Sequence, residues 1–145
     1  MPKKLLVVMC LLVLVVGICF AKDFISISDY ESASRVNVDR QNASVLISRV
    51  NALLTKIGAS SVTITSAARS TGGQDLHPKS RAVDLRWNQS LYNSIVSNIA
   101  GSGLRVECIE CIRENGEADH IHLDIGRSNS DPTGRFFHEH TPKNH

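Results

Sequence analysis

Long runs of one charge, internal repeats and tracts of low complexity are all missing from this chain of 145 residues. Setting Lys3 and Lys4 aside, the sixteen basic residues drop to fourteen, level with the fourteen acidic ones. A neutral body carries no electrostatic footprint for nucleic acid, whose binding rests on phosphate neutralisation, so no nucleic acid partner is expected. Cysteine is scarce as well, at four residues, and only Cys108 and Cys111 lie beyond the first 21. No second pair exists to complete a zinc knuckle around them. In an oxidising compartment they are expected to close a small local disulfide, which adds modest stability. The longest apolar run, Leu5 to Phe20, has 16 residues and no charge. That falls short of the roughly 20 that a spanning helix needs. No single short motif supplies three metal ligands, so any metal site must be assembled from separate stretches.

The opening residues have the layout of a secretory signal. Lys3 and Lys4 make a basic start, the uncharged run follows, and Ala21 stands before Lys22 and Asp23. Cleavage is expected after Ala21. Ile18 before Cys19 is a poor fit to a lipidation signal. The alternative is an uncleaved membrane anchor, the one route by which the chain would touch a membrane. Either reading places the body in an exported compartment, periplasmic or secreted. The expected organisation is a signal over 1–21, one domain over 22–126 and a mobile tail over 127–145, in a monomer. His138, Glu139, His140 and His145 fall in that tail and are given no role.

Within the body, Phe24, Ile25 and Ile27 suggest a short strand or a clamp. Asn42 to Ile57 carries Ala43, Leu46, Ile47, Val50, Leu53, Leu54 and Ile57 on one helical face. Asn42 is a candidate N-cap and Gly58 a candidate left-handed C-cap. Ser61 to Ser66 alternates and is β-branched, so it reads as a strand. Gly72-Gly73 and Pro78 mark a loop over Ser70 to Ser80. Ala82 to Trp87 predicts a second strand and Ser90 to Ala100 a second helix, capped by Ser90. Leu104 to Cys108 is a candidate strand. Ile112 to Glu114, the Asn115-Gly116 turn and Glu117 to Ile125 predict a hairpin. The sum is an α+β fold with a small, mostly antiparallel sheet flanked by helices.

Two stretches carry the chemistry. In Asp119-His120-Ile121-His122-Leu123-Asp124, a strand would turn His120, His122 and Asp124 to one side and the aliphatics to the core. His77 lies in the glycine-containing loop, and Asp84 lies inside Ala-Val-Asp-Leu, where burial is costly without a cation or hydrogen bonds. Asp84 is therefore either a metal ligand or the partner of Arg69 or Arg86. A catalytic zinc takes three such ligands and leaves a fourth position open.

The order Arg69, Gly72-Gly73, His77-x-x-x-x-Ala82-x-Asp84 and Asp119-x-x-His122 resembles the zinc D-alanyl-D-alanine carboxypeptidases and L-alanyl-D-glutamate endopeptidases. Their pattern is Ser-x-His-x-x-Gly-x-Ala-x-Asp, with an acid three residues before a later His. The strand leading into Ala67-Ala68-Arg69-Ser70 is similar to the family's Ser-Gly-Tyr-Arg-Ser. The resemblance covers about Ala43 to Ile125. It departs at Asp75 (family Ser), Ser80 (family Gly) and Ala68 (family Tyr). It implies a Hedgehog/DD-peptidase-like fold, with Zn2+ held by His77, Asp84 and His122. It further implies Asp119 as general base, Arg69 on the substrate and its developing negative charge, and peptidoglycan stem peptides as substrate. Glu117-x-x-His120 has the same spacing as Asp119-x-x-His122, so a register shifted by two is the alternative. His120 would otherwise be a neighbour of the site or a surface residue. A reading from another class is a non-catalytic wall-binding or metal-binding domain on the same scaffold.

Overall fold

The computed structural model describes residues 22–70, 76–109, 120–127 and 136–139, of which 108, 109 and 136–139 are described as backbone. Three helices and five strands are present among them: α1 (Ile27–Ser32), α2 (Arg40–Lys56), β1 (Ile64–Ser66), β2 (Ala82–Arg86), α3 (Gln89–Asn98), β3 (Arg105–Ile109), β4 (His120–Asp124) and β5 (Phe136–Glu139). A single turn of 3-10 helix covers His77–Lys79. The sheet order is β1-β2-β4-β3-β5. The first four strands pair antiparallel, and β5 joins β3 in parallel. The α+β arrangement expected from the sequence is thus present. No helix among the described residues is long and apolar enough to cross a membrane.

Helix α2 forms for the reason its sequence suggests. Ala43, Leu46, Ile47, Val50, Leu53 and Leu54 are buried along one stripe. Its boundary differs from expectation: Asp39, not Asn42, is the N-cap and accepts from the Asn42 amide. The Asn42 side chain instead reaches the Lys79 carbonyl at 3.0 Å, tying the helix start to the 3-10 turn. Gly58 follows with φ 65°, as a left-handed helix end requires. Helix α3 is capped by Asn88 rather than Ser90. Side-chain carbonyls and carboxylates of Asn and Asp compete well for a free helical amide, and an earlier cap adds a turn.

The apolar face of the sheet is made by Val83, Leu85, Val106, Ile121, Leu123 and Ile125, all buried with the α2 stripe, with Ile95 of α3 and with Ile99 at its C-cap. Strand β1 is shorter than Ser61 to Ser66, since its ladder begins at Ile64 and its register slips between Ile64 and Ser66. The expected strand around Phe24 to Ile27 is replaced by α1, whose Ser26 and Asp29 form a reciprocal capping box. The expected clamp is real. Asn51, buried inside α2, accepts from the amides of Phe24 and Ile25 and donates to the Ile25 carbonyl.

The expected tail is not structureless throughout, because β5 lies within it and extends the sheet. Hydrogen bonding to β3 orders a Phe-Phe segment that had no helical or alternating signal of its own. The Gly72-Gly73 turn, the Asn115-Gly116 turn, Cys111 and the signal over 1–21 lie outside the described residues. Ile112 to Glu114, the expected first strand of the hairpin, also lies outside the described residues, and the strand that pairs antiparallel with β4 on that side is β3.

Asn51→Ala would leave two backbone amides and a carbonyl without partners in a site closed to water. A loss of about 2–3 kcal/mol is expected, read as a lower denaturant midpoint. An unchanged midpoint would mean that the N-terminal segment is not anchored there.

Candidate metal centre

Register brings the first two candidate ligands together. On adjacent strands Asp84 pairs directly with His122, so both project from the same face, opposite the helices. Asp84 is 2% exposed and His122 8%. The third arrives from the 3-10 turn, where Pro78 fixes the entry and Ser80 closes the turn at φ 55°, ψ 34°. This left-handed conformation favours glycine, yet Ser80 adopts it. Its hydroxyl accepts from the Asp39 amide at 2.9 Å, which offsets part of the cost. Arg81, buried, then bonds the Gly126 and Ile125 carbonyls and Asn42 Oδ1. The turn is thereby fastened to the end of β4 and to α2, and His77 is fully buried beneath it.

The three side chains meet. His77 Nε2 lies 3.1 Å from Asp84 Oδ1 and 3.3 Å from His122 Nδ1. His122 Nδ1 lies 2.8 Å from the same Oδ1. The donor atoms of all three fall within 4.8 Å of one another. Two ligands at the usual 2.0–2.2 Å from a tetrahedral zinc stand about 3.3 Å apart. The observed spacings match that value or fall a few tenths of an ångström short of it.

The outer nitrogens decide what the centre of this group requires. His77 Nδ1 faces the Ala67 carbonyl at 2.6 Å, an acceptor only, so Nδ1 carries the hydrogen and Nε2 turns a lone pair inward. His122 Nε2 faces Asp124 Oδ2 at 3.4 Å. Asp124 is itself held by Arg105 at 2.6 Å and by the Gly126 amide at 2.7 Å. With its hydrogen on Nε2, His122 also points a lone pair inward. Two imidazole lone pairs and a carboxylate oxygen then converge in a buried space, an arrangement suited to a metal ion or to a proton shared among them. Outer hydrogen bonds of this kind accompany histidine ligands as a rule. The residues present therefore fit a metal ion, and His77, Asp84 and His122 form a group able to hold one.

Without metal, a proton fills the same need. Burial alone would lower the His122 pKa, but the hydrogen bonds to Asp124 and Asp84, with their charges, push it up to about 9. Burial likewise works to raise Asp84, and the hydrogen bonds from His122 and His77 overcome it and hold the carboxyl far below its ordinary range. Asp124 moves down for related reasons, burial opposing and the His122 and Arg105 hydrogen bonds prevailing.

The sequence offered Asp84 either a metal or an arginine. Its two oxygens divide the roles: Oδ1 faces the imidazoles, and Oδ2 lies 3.6 Å from Arg69 Nη2. Arg86 is exposed at the strand end. His120 approaches Asp84 Oδ1 only to 3.9 Å, so the cluster is built on His122. Asp119 and Glu117, the alternative acids, lie outside the described residues. Asp124, Arg105 and Arg81 had no assigned role in the sequence reading. Their roles depend on strand pairing and on a loop folding back, which no local spacing signals. A groove of about 450 Å³ runs between residues 57–63 and α3, past Trp87, and none of the cluster residues lines it. Comparison with protein-family models, with curated proteins and with solved structures finds no match for the chain.

A metal entering at neutral pH must displace the His122 proton. One proton should be released per ion, and apparent affinity should rise about tenfold per pH unit towards pH 9. Calorimetry in buffers of different ionisation enthalpy checks this. The metal-free protein should show the opposite trend. A raised pKa contributes stability that is whole below the ordinary 6.5 and is lost as pH rises through about 9. The lowered carboxyls of Asp84 and Asp124 contribute stability that is lost as pH falls below their ordinary 3.8. Thermal melts of metal-free protein that stay flat from pH 7 to pH 10 would contradict a protonated His122.

Proposed function

We propose that the protein is an exported zinc metallopeptidase that hydrolyses peptidoglycan stem peptides at a D-amino acid, on a Hedgehog/DD-peptidase-like scaffold. The observation that carries this reading is the convergence of His77, Asp84 and His122, spaced in sequence as the resemblance implies, with Arg69 beside Asp84. Two imidazoles and one carboxylate make a three-ligand set of the catalytic type, which leaves one position open. Zinc is the favoured ion because nitrogen ligands dominate; calcium and magnesium prefer oxygen.

Each residue has a distinct task. His77, Asp84 and His122 hold the ion, which when bound polarises the scissile carbonyl and lowers the pKa of water towards about 7. Asp119 takes the proton from the attacking water and passes it to the departing amine, so that the amide nitrogen leaves neutral. The guanidinium of Arg69 faces the negative charge that develops on the carbonyl oxygen. Its side chain is 32% exposed, so it is open to a substrate while it stays within 3.6 Å of Asp84 Oδ2. Arg105 and Asp124 keep His122 oriented throughout.

Purified protein should carry close to one zinc per chain and lose its activity on peptidoglycan when treated with chelator. Asp119→Asn should keep the zinc and lose at least about 100-fold in turnover. Arg69→Ala should keep the zinc and lose a similar factor. Metal content with mass analysis of released peptides reads both. Zinc bound at full occupancy with no hydrolysis in the parent would leave a metal-binding domain in place of an enzyme.

A further inference from the structure

The metal ligands belong to a row of residues that crosses the sheet. Asp84 of β2 pairs with Ser66 on one side and with His122 of β4 on the other, and His122 pairs in turn with Glu107 of β3. Directly paired residues on antiparallel strands share a face, with Cβ atoms about 4.5–5.5 Å apart. Glu107 therefore stands beside His122 on the metal-bearing face, one strand spacing of about 4.8 Å beyond it. Arg69 lies past the opposite end of the row, three residues after β1. The row thus runs from a cation through the metal cluster to an anion.

Glu107 differs from the other acids described on this face. Asp84 and Asp124 are buried and tied to histidine or arginine. Glu107 is half-buried, and neither a hydrogen bond nor an ion pair reaches its carboxylate among the described residues. A carboxylate that is partly desolvated and unpaired is unfavourable for the fold alone. Its position beside a site open to a ligand gives it an external partner.

We propose that Glu107 is a specificity residue that binds a primary ammonium group on the substrate, on a residue next to the bond being cut. This deepens the peptidase reading and rests on it. The charge order across the sheet also sets the direction of the bound peptide. The carboxylate-bearing end lies towards Arg69 at the β1 side, and the amine-bearing residue lies towards Glu107 at the β3 side. An extended peptide advances about 3.3 Å per residue, so a site one strand spacing from His122 is reached by the residue adjacent to the scissile bond or by the side chain of the one before it.

The test compares two stem peptides that are identical except at the diamino residue, which carries a free side-chain amine in one and an acetylated amine in the other. Binding to the zinc-loaded full chain is measured by calorimetry, and hydrolysis is measured separately. The parent should bind the free amine about fivefold to tenfold tighter, as a partly screened ion pair allows. Glu107→Gln should erase that preference and leave affinity for the acetylated peptide unchanged. Glu107→Lys should invert it. Zinc content equal to the parent's checks that both variants fold. Equal binding of the two peptides by the parent overturns the proposal, as does a preference that survives in Glu107→Gln, or failure of both peptides to bind. An amine preference without hydrolysis would keep Glu107 in this role and discard the peptidase reading, whereas hydrolysis indifferent to the amine would do the reverse.

Discussion

Three electron pairs directed at one buried point are the constraint around which this protein is organised. His77, Asp84 and His122 would repel one another unless a positive charge stood between them, and their burial makes that repulsion strong. The chain meets the constraint from outside inward. Ala67 and Asp124 take the outer hydrogens, Arg105 fixes Asp124, and Arg69 approaches the second oxygen of Asp84. Each of these contacts fixes a tautomer or a charge, and together they leave the centre suited to a cation.

The placement of His77 has its own cost. Ser80 occupies a left-handed backbone region that disfavours side chains by about 1 kcal/mol. A glycine would adopt it freely but would surrender the hydroxyl bond to the Asp39 amide. Arg81 reinforces the same turn with three further bonds to β4's end and α2. Serine at this position is therefore compatible with the geometry that delivers His77. The constraint moves from intrinsic backbone freedom to side-chain anchoring.

Much of this was legible before the fold was seen, and the limits have physical reasons. The α2 stripe was plain because seven apolar residues at helical spacing have no competing reading. Strand β2 and the ligand-bearing β4 followed from alternation around Asp84 and His122. The caps were misplaced because Asp39, Asn42, Asn88 and Ser90 are all good cap residues, and only tertiary contacts select among them. Asn42 is drawn away to Lys79 and to Arg81, which leaves the cap to Asp39. Helix α1 was missed since six residues carry little periodicity and depend on a capping box and a buried Tyr30. His122 was preferred to His120 for its deeper place in the apolar strand, and the pairing of β2 with β4 gives the physical reason, since it sets His122, and not His120, opposite Asp84.

The division of the sheet into two faces explains how such a polar cluster is tolerated. Val83, Leu85, Ile121 and Leu123 bury the opposite face against α2 and α3 without help from the ligands. Structural zinc sites differ, since there the ion replaces a core and the chain unfolds without it. Here the core is complete, and the proton on His122 neutralises the cluster when no ion is bound. An ion bound here would be held by a scaffold already folded, at the cost of expelling one proton. Folding and metal binding would then draw on different faces of the same two strands, so the ligand geometry is set by the fold and not by the ion.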